Sequence, residues 1–363
     1  MTYGGAALGR VEGKAVFVTG GSPGELVRVT VKEDRANYAR ARLLEVIEPS
    51  PDRITPRCPH FGFDAASCGG CHWQHIAYAA QLRFKTAIVR EQLQRLGRIP
   101  DPPVRDIIPS PAIWQYRNHA QFHVTPQGEL GFQAARSHRV VPIDQCLIIE
   151  PPLQEWLRAQ REVDHSSEQR LSVRAPNLQP PRGASNFQFH VSPDSFFQVN
   201  TSLIETLVDH VLARLELNTT DTVLDAYCGV GLFSRFIAPQ VARVIAIESS
   251  ASAQADFAIN LAGCANVEFH LGRVEQILSK ITTHFDAALF DPPRAGCGPQ
   301  VIDAVVTRKI DRVVIVACDP ATLARDVRSL LDRQYTLIEV QPIDLFPHTY
   351  HIETVAVLQR VEE

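Results

Sequence analysis

The chain of 363 residues contains no apolar run long enough to span a bilayer, and residues 1–5 carry no apolar targeting core. A surplus of basic residues is also absent, because 36 Lys and Arg stand against 40 Asp and Glu, a formal net charge of −4. These absences argue against a membrane protein and against a strongly basic, non-specific nucleic-acid binder. Internal repeats and low-complexity tracts are likewise missing. We expect a cytoplasmic monomer, long enough for two or three domains.

The chain has eight cysteines, which in a reducing compartment indicate metal binding or catalysis rather than disulfides. Four of them form a group by sequence position: Cys58, Cys68, Cys71 and Cys146. The residues alone are compatible with two kinds of metal site. One is a zinc ion held by four thiolates, and the other is a four-iron cluster held by three close thiolates and a distant one. Cys264 and Cys297 have no partner by spacing.

A fifth cysteine follows a run typical of a buried strand. The β-branched run Val313–Ala317 ends at Cys318 and is followed by Asp319-Pro320, which indicates a turn. A side chain at that point lies at the carboxyl end of a parallel sheet, where open α/β folds bind their ligands. Cys318 is therefore a candidate nucleophile.

A Gly-x-Gly turn predicts a cofactor site on the same sheet. Gly229 and Gly231 come between a strand ending near Asp225 and an amphipathic helix, and the next strand ends at Glu248. An acidic residue at the tip of the second strand suits a ribose diol. The third glycine of the dinucleotide fingerprint is absent near Ser234. The pattern favours S-adenosylmethionine over a nicotinamide cofactor.

Two further carboxylates are predicted at strand ends. Asp291 precedes Pro292-Pro293, and a following proline holds it in an extended conformation. Glu353 lies at the start of a C-terminal strand and is a candidate general base if it shares a site with a thiol and a methyl donor.

Over nearly its whole length the chain resembles the RNA 5-methyluridine methyltransferases. The motifs that carry this resemblance are Asp225–Gly229, Asp291–Arg294, Cys318–Asp326, His351–Val355 and Ser195–Asn200. Asp319 departs from the asparagine that is frequent in the third motif. The resemblance implies that Cys318 adds to C6 of uracil, which activates C5 toward the methyl group, and that Glu353 then accepts the C5 proton.

The resemblance also implies the binding residues. Those expected at the substrate are Phe196, which would stack on the extruded uracil, and Gln198, Asp291 and Arg294. Those expected at the cofactor are Gln198, Tyr227, Gly229, Gly231, Glu248 and Asp291. Arg273 stands where an Asp or Asn is expected near the adenine, so the adenine contact is not defined by the sequence.

The cysteine group resembles that of the ribosomal branch of the family. Cys68–His75 matches the motif of its [4Fe-4S] cluster, although Asp64–Ser67 lengthens the spacing from Cys58. This branch implies 23S ribosomal RNA as the partner, with no DNA and no membrane. Alternatives are a transfer-RNA enzyme of the same family, a methyltransferase acting on cytosine C5 or an exocyclic nitrogen, and a non-catalytic RNA-binding iron–sulfur protein.

We expect an α/β protein with three domains. Residues 1–52 resemble an OB-like TRAM β-barrel, residues 53–190 form a central α+β domain with the iron–sulfur cluster, and residues 191–363 form a doubly wound, Rossmann-like methyltransferase domain. The first domain carries basic residues that either follow RNA phosphates or form a solvated face: Arg28, Lys32, Arg35, Arg40 and Arg42. The proline-rich stretch Pro176–Asn186 is predicted to be a loop.

Overall fold

The computed structural model describes residues 1–161, 163, 165–175 and 188–361. These residues form two compact units. One comprises Met1–Ile88, Ala112–Ala175 and Phe346–His351, and the other the described parts of Val89–Pro111, Pro176–Leu345 and Ile352–Glu363. The loop predicted at Pro176–Asn186 lies outside the described residues, and no described helix is long and apolar enough to cross a membrane.

The first unit begins with a four-stranded sheet. Its strands are β1 (Ala7–Val11), β2 (Lys14–Thr19), β3 (Leu26–Asp34) and β4 (Tyr38–Glu48), in the order β1-β2-β4-β3. The β2–β4 pair is parallel, and the register between β3 and β4 shifts at three points. Such irregularities bend a strand pair and increase its twist.

A second four-stranded sheet completes this unit. Helix α1 (Tyr78–Arg95) begins here, and the sheet consists of β5 (His119–Val124), β6 (Leu130–Gln133), β7 (Val140–Pro142) and, after α2 (Pro151–Ala159), β8 (Arg170–Arg174). All pairs are antiparallel in the order β7-β6-β5-β8. Buried Phe122 of β5 packs with Leu153 and Leu157 of α2, so that the sheet and the helix share one core.

The second unit is a doubly wound sheet, as the sequence predicts. Its elements are α3 (Thr201–Leu215), β9 (Thr222–Ala226), α4 (Leu232–Ile237) with a 3₁₀ turn (Ala238–Gln240), β10 (Arg243–Glu248), α5 (Ala251–Asn260), β11 (Val267–Leu271), α6 (Val274–Leu278), β12 (Ala287–Phe290), α7 (Pro299–Thr307), β13 (Arg312–Ala317), α8 (Pro320–Leu331), β14 (Tyr335–Ile343) and β15 (Glu353–Arg360). The order is β11-β10-β9-β12-β13-β15-β14. Every residue of β13 is buried, which accounts for the continuous apolar run that follows Arg312.

The strand order locates the place where a ligand would bind. The chain moves outward from β9 to β10 and β11, then returns to the other side of β9 at β12. The strands from β11 to β13 are parallel, whereas β15 is antiparallel to both of its neighbours. Ligands of such sheets bind at the carboxyl ends of the strands, where the order reverses. Here that crevice lies beyond β9 and β12.

Candidate active site and cysteine cavity

The turn after β9, residues 227–231 (the cofactor turn), contains the two glycines of the predicted pocket. Gly229 and Gly231 have φ angles of +54° and +89°. A Cβ added at Gly231 would lie 2.4 Å from Leu261 Cδ2, whereas one added at Gly229 would meet no atom within 4 Å. Gly231 thus permits close packing against α5, while Gly229 leaves its backbone accessible to a ligand.

Glu248 at the tip of β10 accepts hydrogen bonds from three backbone N–H groups. Oε2 accepts from Gly229 N–H at 3.1 Å, and Oε1 accepts from Ser249 and Ser250 N–H at 2.6 and 2.7 Å. The carboxylate of Glu248, which is predicted to bind the cofactor ribose, therefore lies beside the cofactor turn and has a fixed orientation.

Asp225 at the end of β9 is fully buried, and Ser234 donates a hydrogen bond of 2.5 Å to its Oδ2. Burial, followed by the nearby charge of Glu248, raises the pKa of Asp225 to about 7. Its Oδ1 is buried without a hydrogen-bond partner among the described atoms. Ser234 occupies the place of the missing third glycine, and the structure gives it a partner that sequence analysis did not foresee.

Asp291 joins this group at the end of β12. Its N–H donates to Ala226 O at 3.2 Å, and its Oδ2 accepts from Gln198 Nε2 at 3.4 Å. Burial, followed by the charges of Asp225 and Glu248, raises the pKa of Asp291 to about 7, although part of its surface remains accessible. Gln198 and Asp291, predicted to contact both cofactor and substrate, therefore contact each other.

Cys318 and Glu353 lie at the ends of neighbouring strands. Burial, followed by the charge of Glu353, raises the pKa of the Cys318 thiol to about 11, whereas Arg294 acts in the opposite direction. Glu353 is 3% exposed, and burial together with the charge of Asp291 raises its pKa well above the usual range. The predicted nucleophile, base and strand-end carboxylate thus influence one another electrostatically.

The motif after Cys318 organises the neighbouring loops. Asp319 caps α8, because its Oδ1 accepts from Ala321 and Thr322 N–H at 2.9 and 3.1 Å. An asparagine could make the same bonds through its carbonyl oxygen, so this departure from the family motif leaves the cap intact. Buried Asp326 accepts from Cys297 N–H at 2.7 Å and thereby holds the loop after Asp291–Arg294. The sequence motif contains Asp326, but its role could not be read from the sequence.

The aromatic residues of the predicted site differ in exposure. Phe196 is 67% exposed, whereas Phe197 is 3% exposed and packs against Phe189. Tyr227 has a positive φ of 63°, and burial raises the pKa of its hydroxyl. Its hydroxyl donates to Cys297 O at 3.5 Å, a long hydrogen bond. Phe196 is therefore available to a ligand.

Arg273, singled out in the sequence, and Cys228, within the cofactor turn, both have contacts of their own. The Arg273 guanidinium forms an ion pair of 2.5 Å with Glu275, and its side chain is exposed. Cys228 belongs to an apolar cluster with Ala246 and Phe257, which indicates a packing role.

The site fits a cationic ligand with hydroxyl groups. Its four carboxyl groups are Asp225, Glu248, Asp291 and Glu353. A positive charge among them would favour the ionised forms of Asp225, Asp291 and Glu353, which burial alone disfavours. The buried, unpartnered oxygen of Asp225 and the open space at Gly229 are further features that a bound group would satisfy. These features fit S-adenosylmethionine, whose sulfonium is cationic and whose ribose carries a diol.

The four grouped cysteines line one cavity of about 170 Å³ in the first unit, namely Cys58, Cys68, Cys71 and Cys146. Burial raises the pKa of each thiol, that of Cys68 to about 11. The charges of neighbouring cysteines act in the same direction at Cys68, Cys71 and Cys146, and the charge of Asp144 does so at Cys58. The segment Asp64–Ser67, which lengthens the spacing between Cys58 and Cys68, forms a local turn. In it Asp64 Oδ1 accepts hydrogen bonds from Ala66 N–H and Ser67 Oγ, both at 2.8 Å. Cys58 therefore reaches the same cavity as the other three.

Within the part of the chain that the structure describes, no group of three or more His, Cys, Asp or Glu side chains could hold a metal ion. The structure thus does not show a metal site. A four-iron cluster differs from a single ion, because each cysteine binds a different iron and the sulfurs need not touch. Four thiols around one cavity are compatible with that arrangement.

The basic residues of the N-terminal sheet are partly neutralised. Arg28 pairs with Glu45, while Arg35 and Arg40 lie 2.8 and 3.5 Å from Glu33. These pairs favour the solvated-face interpretation for three of the five predicted phosphate contacts.

Comparison with known proteins gives two family matches. The family described as tRNA (uracil-5-)-methyltransferase matches residues 163–361, and the TRAM domain matches residues 2–44. An uncharacterised RNA methyltransferase of Halalkalibacterium halodurans is 32% identical over 99% of this chain and 95% of its own length. One from Streptomyces avermitilis is 33% identical over 99% and 96%, respectively.

A solved structure shares the fold. The tRNA (uracil-54, C5)-methyltransferase of Pyrococcus abyssi, in complex with S-adenosyl-L-homocysteine, superimposes with a TM-score of 0.71. The two are 24% identical, and the match covers 97% of this chain and 96% of that one.

Proposed function

The chain belongs to the tRNA (uracil-5-)-methyltransferase family. On this basis we propose that it methylates C5 of a uridine in ribosomal RNA and that Cys318 forms a covalent bond to C6 of the base during the reaction. It is an S-adenosylmethionine-dependent RNA (uracil-C5) methyltransferase with an N-terminal TRAM domain. The covalent route, the site residues and the identity of the RNA are the proposed parts.

The observation that carries the covalent route is the strand register at Cys318. Ala317 and Thr354 form the last residue pair between β13 and β15, Cys318 follows that pair, and Glu353 precedes it. Opposite positions on antiparallel strands have Cβ atoms about 4.5–5.5 Å apart. A nucleophile and a base next to each other suit a reaction in which one adds to C6 and the other removes a proton from the adjacent C5.

The chemistry needs a nucleophile because uracil C5 is not nucleophilic enough to attack a methyl group directly. When the Cys318 thiolate adds to C6, the electron pair of the C5–C6 double bond moves toward the O4 carbonyl and C5 becomes enolate-like. S-adenosylmethionine, when bound, supplies an electrophilic methyl group. As C5 bonds to that methyl carbon, the bond between the methyl carbon and the donor sulfur would break and S-adenosylhomocysteine would be the leaving group, so that C5 would carry both a methyl group and a proton.

Glu353 completes the reaction as the proposed general base. Its carboxylate accepts the C5 proton, the C5–C6 double bond re-forms, and the Cys318–C6 bond breaks to release the thiolate. In the ligand-free protein burial raises the pKa of both Glu353 and Cys318, which favours the neutral acid and the thiol. The charge of Arg294 lowers the pKa of Cys318, and we propose that Arg294 stabilises the thiolate electrostatically.

The binding roles follow from the positions of the side chains. Glu248, fixed beside Gly229, is the proposed partner of the cofactor ribose. Tyr227 and Gly231 shape the cofactor turn, while the Gln198–Asp291 pair is the proposed contact to both ligands. Exposed Phe196 is the proposed stacking partner of the flipped base.

The four-cysteine cavity supports the proposal of a [4Fe-4S] cluster held by Cys58, Cys68, Cys71 and Cys146. All four thiols line that cavity, which is what a cluster needs. A cluster there would stabilise the folded state, because metal binding contributes to folding free energy. We keep the proposed division into residues 1–52, 53–190 and 191–363, with the cluster in the central part. The monomeric state and the cytoplasmic location stay predictions.

Ribosomal RNA is the preferred substrate because the chain combines a TRAM domain with this cysteine group, as the ribosomal branch does. Transfer RNA is the second candidate, because the family that matches residues 163–361 is described by that substrate. In either RNA the target must be an accessible base that can leave its stack.

The test is an anaerobic incubation of the protein and S-adenosylmethionine with 5-fluorouridine-substituted ribosomal RNA, and in parallel with transfer RNA. Fluorine cannot leave C5 as a cation, so methylation through the proposed route traps a protein–RNA adduct. We expect an adduct with the original chain and with the control Cys264→Ala, and none with Cys318→Ala.

Each outcome has a distinct meaning. An adduct formed with transfer RNA alone would identify transfer RNA, the second candidate, as the substrate. An adduct that persists in Cys318→Ala would refute the nucleophile. Methyl transfer without any adduct would contradict the covalent route and favour an exocyclic nitrogen as the acceptor.

A further inference from the structure

A buried asparagine at the C-terminal end of α5 connects the cofactor turn to the segment that carries Phe196 and Gln198. Asn260 Nδ2 donates to Val230 O in the cofactor turn and to His190 O, both at 2.9 Å. Its Oδ1 accepts from His190 N–H at 2.7 Å. The side chain is 1% exposed, and both of its polar atoms are used.

Asp256, one turn earlier on α5, holds the same segment, residues 190–198. Its Oδ2 accepts from Ser192 N–H at 2.9 Å and its Oδ1 from Ser192 Oγ at 2.7 Å. His190 Nε2 lies 3.4 Å from Oδ1. Asp256 is fully buried, whereas the His190 side chain is 54% exposed, so the bonds to Ser192 are the more shielded from water.

A chain of serines forms a second connection. Ser250 N–H donates to Glu248 Oε1, Ser250 Oγ lies 3.0 Å from Ser252 Oγ, and Ser195 Oγ donates to Ser252 Oγ at 3.3 Å. This route leads from the carboxylate beside the cofactor turn to the residue before Phe196. Two independent sets of hydrogen bonds therefore tie the predicted cofactor residues to the predicted base-binding residues.

We propose that Asn260 and Asp256 are positioning residues through which the bound cofactor orders the 190–198 segment, so that the methyl donor and the RNA base bind cooperatively. The inference rests on the proposed function, since it takes Phe196 and Gln198 as base contacts. A ligand that immobilises the cofactor turn fixes Val230 O, and Asn260 transmits that restraint to His190. Coupling of this kind is reciprocal, so RNA strengthens donor binding by the same factor.

A purely structural role for Asn260 predicts something different. Bonds that only stabilise the fold would be equally strong with and without the cofactor. Because Gln198 is itself a proposed cofactor contact, ligand-dependent protection of residues 190–196 that depends on Asn260 is the readout that separates the two roles.

The experiment is amide hydrogen exchange on the full chain with and without S-adenosylhomocysteine, the demethylated product of the donor. In the original chain we expect the ligand to slow exchange in the cofactor turn and in residues 190–198, in the latter roughly fivefold or more, the lower end of typical coupling. In Asn260→Ala the cofactor turn stays protected, while the effect on residues 190–198 falls to the part that the serine connection still transmits.

Two further variants guard against a folding defect. Ser192→Ala removes a partly exposed hydroxyl that donates to Asp256, and we expect it to weaken the ligand effect on the segment without loss of the fold. Asn266→Ala is the matched control, because Asn266 Nδ2 also donates to two carbonyls, Ala238 O and Val241 O, at 2.8 and 3.0 Å. It should leave the ligand effect on residues 190–198 unchanged.

Protection of the cofactor turn without protection of residues 190–198 in the original chain would overturn the coupling. An equal effect of the ligand in the original chain, Asn260→Ala and Ser192→Ala would also overturn it. Neither result depends on RNA. The coupling and the proposed RNA chemistry can therefore fail separately, since the latter is tested by the fluorouridine adduct.

Discussion

Cys318 and Glu353 flank the last residue pair between β13 and β15, one immediately after Ala317 and the other immediately before Thr354. The antiparallel direction of β15 is what makes this arrangement possible. A parallel strand would bring its carboxyl end to this edge of the sheet, whereas β15 brings its first residue. Two residues 35 positions apart in the sequence therefore share one end of the sheet.

Replacement of the base should stop the reaction after methyl transfer. In Glu353→Gln the amide cannot accept the C5 proton, so the Cys318–C6 bond should persist on ordinary, non-fluorinated RNA. We expect turnover to fall roughly 10²–10⁴-fold, with a methylated adduct on a denaturing gel. Glu268→Gln, which changes a carboxylate on β11, is the control. Unchanged turnover in Glu353→Gln would remove Glu353 from the proposed role.

The two glycines of the cofactor turn should respond differently to alanine. Gly231→Ala should lower the free energy of unfolding by about 2 kcal/mol or more, because its φ is positive and the new methyl would overlap Leu261. Gly229→Ala meets no atom within 4 Å, so it should cost less stability but weaken S-adenosylhomocysteine binding. Thermal unfolding and calorimetric titration separate the two effects, and the reverse order would contradict the assignment.

The catalytic half of the chain was the easier half to predict. Strands β10, β12 and β13 carry apolar runs that lead directly to Glu248, Asp291 and Cys318, so these three residues could be placed at the carboxyl edge from the sequence alone. The hydrogen bonds between Ser234 and Asp225 or between Asn260 and His190 could not be predicted, because each joins side-chain or backbone groups of different structural elements. Edge strands such as β1, with mostly exposed residues, also lack a clear apolar signal.

Phe196 and Phe197 are neighbours with opposite expected effects. Phe196→Ala should leave stability unchanged, because the ring is 67% exposed, but should weaken binding of substrate RNA by about 1–3 kcal/mol if a base stacks on it. Phe197→Ala should lower the free energy of unfolding by about 3–5 kcal/mol, because that ring is buried. Filter binding and chemical denaturation measure the two. Unaltered RNA affinity in Phe196→Ala would argue against stacking.

The cysteine cavity predicts that serine substitutions reduce cluster binding. Serine at any of the four cavity positions should reduce iron and sulfide content and the visible absorption of anaerobically reconstituted protein, and should lower its melting temperature. Cys264→Ser is the matched control, because Cys264 lies outside the cavity. Protein that binds no iron after anaerobic reconstitution, with all eight cysteines present, would rule out the proposed cluster.

The pKa of Asp225 predicts how stability depends on pH. Burial raises this pKa from 3.8 to about 7, so between these values the folded protein keeps a proton that the unfolded chain has released. The stabilising contribution of the group is complete below pH 3.8 and is lost progressively as the pH rises toward 7.

The variant Asp225→Asn tests this dependence. Asparagine does not titrate, and its amide oxygen can still accept the hydrogen bond from Ser234. Without cofactor, we therefore expect the variant to gain melting temperature relative to the original chain between pH 5 and pH 8, the range that brackets the upper part of this titration. A constant difference across that range would show that Asp225 is already ionised in the folded protein.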